Sequence, residues 1–151
     1  MTPRRPSFVR ARGFTLVELV VVMSIIALLA GAVLVQVTNR VKHGRRTRAL
    51  QDITAFSTAL DLYAADSGNP PTTEQGLAAL IRKPSSSPVP NNWSGPYIKK
   101  RSIPLDPWSH EYVYRFPGEE NPDGYDLICY AADGQPGGQS EWDADITNFD
   151  D

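Results

Sequence analysis

Hydrophobic and polar positions sort this chain into a long apolar run, a helical stripe and two short alternating stretches. From Phe14 to Val37 the residues are apolar or small apart from Thr15, Glu18, Ser24 and Gln36. A helix of this length extends about 36 Å, enough to cross a ~30 Å hydrocarbon layer with some tilt. Past Arg48 the pattern moves to steps of three and four, with Leu50, Ile53, Phe56, Leu60 and Tyr63 recurring and Ala49 and Ala59 alongside. That spacing gives a helix one apolar face. It predicts one continuous helix from about Phe14 to Ala65, ended by Gly68, Pro70 and Pro71. A second helix is predicted over about 73–83. Thr72 and Gln75 form a capping-box pair, Leu77, Leu80 and Ile81 supply an apolar face, and Pro84 marks the stop. Glu111 to Phe116 and Tyr125 to Ala131 read as strands, joined by the turn-rich Pro117 to Gly124. The expected architecture is α+β, a long helix packed on a small antiparallel sheet, with Trp and Tyr side chains filling the interface.

Charge sharpens this picture. The 151 residues carry 15 Lys and Arg against 17 Asp and Glu, a net charge of −2. The first 13 residues hold Arg4, Arg5, Arg10 and Arg12 and no acid. A basic collar follows the apolar run: Arg40, Lys42, Arg45, Arg46 and Arg48. Beyond Ser102, 12 acids face one base, Arg115. With 41% apolar and 9% aromatic residues the chain can build a core, which excludes global disorder. Acids outnumber bases, and the collar directly follows an apolar span. Lipid head groups or a neighbour's acids therefore suit it better than DNA, and no nucleic-acid partner is expected. Cys129 is the one cysteine, so neither an intrachain disulfide nor a Cys-cluster zinc site can form. His43 and His110 lack metal-ligand spacing to each other or to Cys129, and the sequence has no phosphate-binding Walker loop. No enzyme is expected, and any ATP-driven step belongs to a partner.

The apolar run has three readings besides a specialised one. A buried core helix would need a polar face, which Val20 to Val35 lacks apart from Ser24. A cleaved secretory signal has an apolar core of only ~7–15 residues, shorter than this run. A plain single-pass anchor fits, with the Arg-rich tip in the cytoplasm and the collar opposing that orientation. Glu18 does not belong in a plain anchor, since a carboxylate in hydrocarbon is costly and marks function. No Lys or Arg lies between Phe14 and Gln36 to pair with it. If the bond after Gly13 were cut, the free amine of Phe14 on a neighbouring copy would reach the level of Glu18 and could pair with it between staggered subunits.

The basic tip, Gly13-Phe14-Thr15-Leu16-Val17-Glu18 and the long apolar run together resemble the class III signal of type IV pilin-like proteins. In that family a prepilin peptidase cuts between the Gly and the Phe and N-methylates the new terminus. The resemblance assigns processing to Gly13 and Phe14 and assembly to Glu18. Unlike many relatives, the chain has no proline at Leu34-Val35-Gln36-Val37. The strings at Pro71 to Leu77, Trp93 to Tyr97, Leu105 to Trp108 and Asp123 to Leu127 narrow the likeness to the major pseudopilins of type II secretion systems. It implies a leader over 1–13, a transmembrane and filament-core helix over 14–37, and a periplasmic domain over 38–151. It further implies a filament subunit in the bacterial inner membrane that supports export of folded proteins across the outer membrane. The implied partners are further copies of itself, minor pseudopilins, the prepilin peptidase, membrane lipid, and an inner-membrane assembly platform with its ATPase. A type IV pilin for adhesion or motility is the alternative. Those pilins commonly close a C-terminal disulfide loop, which one cysteine cannot form.

The acidic end contains Asp133-Gly134-Gln135-Pro136-Gly137-Gly138, then Glu141, Asp143 and Asp145. Carboxylates along a Gly-rich loop suit a hard cation that takes oxygens from side chains and backbone. By spacing alone a solvated acidic tail explains the stretch equally. The resemblance implies one calcium here, carried over onto Asp133 and Asp145, with Asp143 as a further candidate, Glu141 as its alternative, and carbonyls around 130–132 completing the shell. Loss of the leader would remove four arginines and no acid, taking the side-chain charge from −2 to −6.

Overall fold

A computed structural model describes residues 13–149, with the side chains of 32–35 left aside. The leader expected over 1–13 therefore lies, except for Gly13, outside the described residues. Two compact units divide between Arg40 and Val41.

Helix α1 runs Leu16–Ser67 and contributes to both units. It continues without a break through 34–37, where no proline interrupts its hydrogen-bond ladder. Its far end is set by Gly68, whose φ of +87° suits glycine and whose N–H bonds the Ala64 carbonyl at 2.8 Å. Pro70 and Pro71 then prevent continuation.

In the second unit α1 buries a tight stripe of Ala49, Ile53, Phe56, Leu60 and Tyr63. Leu50, expected on that stripe, is instead 47% exposed. The 4-3-4-3 rhythm starts from Ala49, and a one-residue step turns a helical side chain about 100° away. Against the stripe pack Leu80, Leu127, Cys129 and Ile146, with Tyr112, Tyr114 and Tyr125. Full burial of each such aliphatic side chain contributes roughly 1.5–3 kcal/mol. Three tyrosine hydroxyls fasten the remaining chain to acids of α1: Tyr112 donates to Asp52 at 3.0 Å, Tyr125 to Asp61 at 3.2 Å and Tyr97 to Asp66 at 2.8 Å.

The helix expected over about 73–83 is not formed. The capping pair is present, with Gln75 N donating to Thr72 Oγ1 at 3.3 Å and Thr72 N to Gln75 Oε1 at 3.2 Å. Gly76 then turns to φ +57°, ψ −168°, which breaks the ladder after one turn. Only a 3-10 turn follows, Leu77–Leu80, burying Leu77 and Leu80. The Gln75 amide holds the Pro- and Ser-rich segment beyond it, donating to Ser86 O at 3.0 Å and Pro88 O at 2.9 Å.

The sheet contains β1 (Val113–Arg115), β2 (Asp126–Cys129) and β3 (Ile146–Thr147), antiparallel in that order. Tyr114 pairs with Leu127 and Cys129 with Ile146. Both predicted strands are present in shortened form, and β3 is an addition. Beyond β3 the Asn148 side chain extends the pairing, accepting from Leu127 N at 2.7 Å and donating to Tyr125 O at 3.0 Å. Between β1 and β2 the buried Asp126 carboxylate gathers the turn, accepting from the backbone N–H of Glu119, Glu120 and Asn121 at 2.6, 3.0 and 3.0 Å.

Candidate functional site

Gly13, Phe14 and Thr15 precede α1 as irregular chain, and Phe14 is 82% exposed. Thr15 caps the helix, its hydroxyl oxygen accepting from Glu18 N at 3.2 Å. Glu18 therefore sits in the first turn, where a carboxylate complements the free N–H groups. The Thr-x-x-Glu spacing before an apolar run is the sequence signal for this cap, and the sequence reading missed it. Among the described residues Glu18 forms no ion pair. From Leu16 through Leu29 the large apolar side chains stand exposed, and none of the most apolar stretch is buried. Ser24 satisfies itself by donating to Val20 O at 2.8 Å.

In the second unit the collar meets the acidic end of the same chain. Arg46 Nη1 donates to Ala144 O at 3.0 Å. The His43 ring stands edge-on to Trp142 at 4.7 Å, and His43 Nδ1 lies 3.9 Å from Glu141. Lys42 Nζ lies 5.4 Å over the Trp142 ring. Part of the collar is thus engaged by its own C-terminal loop, a contact between distant segments that no local pattern signals.

The three aspartates occupy one loop between β2 and β3. Gly134, Gly137 and Gly138 all take positive φ. Asp133 accepts from Gln135 N at 3.2 Å, Asp145 from Gly137 N at 2.9 Å and Asp143 from the Ser140 hydroxyl at 2.7 Å. Gly137 and Asp145 also pair through the backbone, Asp145 N donating to Gly137 O at 3.2 Å. Asp143 and Asp145 thus flank the closing turn while Asp133 stands at its opening. Glu141 points to His43 instead of joining them. Among the described residues no three His, Cys, Asp or Glu side chains converge as a metal-binding group. The loop's donor chemistry is all oxygen, from carboxylates and turned carbonyls, which fits a hard cation such as calcium and not zinc.

Asp106 underlies this loop, and the sequence reading assigned it no role. Its side chain is fully buried. Oδ1 accepts from Trp108 N at 2.9 Å and His110 N at 2.8 Å, and Oδ2 from the Cys129 thiol at 3.2 Å. The His110 ring lies so close to Gly134 that a Cβ there would meet it at 2.9 Å. Burial, and then the bond to Asp106, push the Cys129 thiol up to about 12. That makes it an inert core group and not a nucleophile.

An exposed apolar N-terminal helix that runs into a small three-stranded antiparallel head defines the type IV pilin-like class. The profile described as "Prokaryotic N-terminal methylation motif" matches residues 9–34, and "Type II secretion system (T2SS), protein G" matches 36–149. The chain belongs to the type II secretion system protein G family. It is similar to the type II secretion system core protein G of Pseudomonas aeruginosa, 45% identical over 139 residues covering 91% of this chain and 94% of the relative. The corresponding protein of Vibrio cholerae is 41% identical, covering 91% and 90%. A crystal structure of the major pseudopilin from enterohaemorrhagic Escherichia coli aligns with a TM-score of 0.58 and 34% identity, over 74% of this chain and 91% of that one. These relatives are secretion-system proteins and not adhesion or motility pilins, and the family is one of structural pseudopilins. Its apolar helix and methylation motif fit a membrane-anchored, periplasm-facing protein.

Proposed function

We propose that this chain is the repeating subunit of a periplasmic pseudopilus, stored in the bacterial inner membrane and polymerised to support export of folded proteins. The observation that carries this is the N-terminal half of α1. It leaves an apolar surface wholly exposed, which needs lipid or other copies to cover it, and it starts directly after the Gly13-Phe14 junction. A prepilin peptidase cuts between Gly13 and Phe14 and methylates the Phe14 amine. Glu18 then receives that amine from a neighbouring copy, supplying a cation in a stretch that has no Lys or Arg side chain between Phe14 and Gln36. Minor pseudopilins, an assembly platform and its ATPase complete the machinery, since the chain carries no nucleotide-binding loop of its own.

The C-terminal loop takes one calcium through Asp133, Asp143 and Asp145 together with backbone carbonyls. The ion supplies positive charge and order to a loop that covers few apolar groups. Glu141 stays with His43.

The test is export in cells carrying Gly13→Ala or Glu18→Ala. Gly13→Ala is expected to accumulate the unprocessed form and to stop enzyme export. Glu18→Ala is expected to be processed but not assembled. Normal assembly of Glu18→Ala, or a deletion that abolishes twitching while leaving export intact, refutes the proposal.

A further inference from the structure

Two collar residues and the C-terminal loop line a half-open cavity of about 420 Å³ in the second unit. Lys42, Arg45, Trp108, Ser140, Trp142 and Asp143 line it. Binding cavities for small polar-apolar ligands run from ~300 Å³ upward, so one compact group fits. Lys42 stands over the face of Trp142. Arg45 follows one helical turn later, is exposed, and makes no ion pair or hydrogen bond among the described residues. Opposite them Ser140 donates its hydroxyl to Asp143. Two exposed cations face one carboxylate, and calcium held at that carboxylate would only add to the positive charge, so the cavity calls for an anion such as a phosphodiester.

The cavity's position in the chain restricts where that phosphodiester comes from. Lys42 is five residues past Val37, the last residue of the apolar run. Basic residues just beyond a membrane span attract anionic lipid. Tryptophan is the side chain favoured at head-group depth, apolar on its faces and polar at its N–H, and two of them line this cavity. An arginine fork binds phosphate oxygens in pairs while the lysine acts as a point charge. Ser140 Oγ donates to Asp143 and accepts from Trp142 N and Asp143 N, so it shapes the wall and leaves the anion to Lys42 and Arg45.

We propose that this cavity binds the head group of an anionic phospholipid, the phosphate between Lys42 and Arg45. The proposal rests on the reading of the chain as membrane-anchored. A zwitterionic lipid is disfavoured because it leaves the net positive charge of the cavity unbalanced.

The full-length chain in detergent micelles is titrated with phosphatidylglycerol, phosphatidylethanolamine and phosphatidylcholine, and retained lipid is counted by native mass spectrometry. Phosphatidylglycerol is expected to be retained selectively, and the selectivity to fall as salt rises. The K42Q/R45Q double variant is expected to lose roughly thirty-fold in phosphatidylglycerol affinity. R45Q alone, which leaves the Lys42–Trp142 contact in place, is expected to lose roughly five-fold. R115Q, outside the cavity, is expected to bind as the parent does. Equal retention of the three lipids, or unchanged retention by both collar variants, overturns the proposal. So does competition by free glycerol 3-phosphate at the same concentration as the whole lipid, which would assign the cavity to a soluble phosphate. Membrane insertion is read separately by resistance to carbonate extraction. A chain that extracts fails the anchoring reading, whereas an inserted chain without selectivity fails this proposal alone.

Discussion

Replacing Asp106 by alanine tests how the head supports its C-terminal loop. The carboxylate is fully buried and accepts two backbone N–H groups on Oδ1, at 2.9 and 2.8 Å, and the Cys129 thiol on Oδ2 at 3.2 Å. The same turn is closed by Asp106 N donating to His110 O at 2.9 Å. Asp106→Ala strands both N–H donors. Hydrogen bonds to a charged group contribute roughly 1.5–3 kcal/mol each, and water reaching the outer part of the turn returns some of that. A net loss of about 3–5 kcal/mol is expected. Asp106→Asn keeps an oxygen for both N–H groups and loses the charge and the acceptor for the weak Cys129 thiol donor, so its cost is about 1–2 kcal/mol. Urea denaturation of the full-length chain, followed by tryptophan fluorescence, reads the difference. With slopes of ~1–3 kcal/mol/M, the alanine variant lowers the midpoint by at least about 1 M. An alanine variant within about 1 kcal/mol of the parent refutes this account. So does an asparagine variant as damaged as the alanine one.

Three further outcomes follow from named contacts. The Cys129 thiol is raised from 9.0 to about 12 and the Tyr125 hydroxyl from 10.0 to about 12, both chiefly by burial. Each group is neutral in the fold and ionises sooner when unfolded, so its contribution is whole below its unfolded pKa and disappears as the pH rises through the folded value. The urea midpoint should hold steady up to about pH 9 and fall between there and about pH 12, and Cys129 should react with iodoacetamide near neutral pH only after unfolding. A midpoint that rises across that window contradicts the assignment. Gln75→Glu puts a carboxylate against the Ser86 and Pro88 carbonyls and should cost about 2–3 kcal/mol in thermal or urea unfolding, against little change for an exposed control such as Gln51→Glu. Gly138 has a φ of +100°, and a Cβ there would collide with the Asp143 carbonyl. Gly138→Ala should therefore be cleaved by protease within 133–146 in the presence of calcium as readily as the parent is with chelator. Equal protection of the two proteins would count against loop closure at that turn.

How far the sequence could be read depended on how local each feature is. The buried stripe of α1 was visible because its rhythm is intrinsic to one helix, and the misplaced Leu50 shows the limit, since neighbouring apolar residues compete for one face. At Thr72 and Gln75 the local chemistry was read correctly, and the helix built on it was not. Gly76 is small enough to leave the helical region, and only the packed chain shows that it does. β3 has two residues and no period to detect, and it depends on Asn148 to complete its pairing. The loop carboxylates could be recognised by type, but which backbone N–H Asp133 and Asp145 accept from depends on left-handed glycines. Asp106 and Cys129 form one unit only after the fold brings a turn beneath a strand, and the same holds for His43 and Trp142.

Ser24 carries its hydrogen-bond partner, the Val20 carbonyl, along the same helix. Lipid tails and packed aliphatic side chains are similarly apolar, so moving this segment from bilayer to filament replaces like with like at the apolar positions. Ser24 breaks no bond in the move. The N-terminal half of α1 is therefore an exchangeable rod, indifferent to which apolar medium surrounds it, and under the proposed pairing with a neighbour's amine the sorting between storage and polymer falls to Glu18. A population of subunits can on this account be drawn from either medium with a bias set at a single carboxylate, while apolar substitutions elsewhere between Leu19 and Leu29 shift both media together.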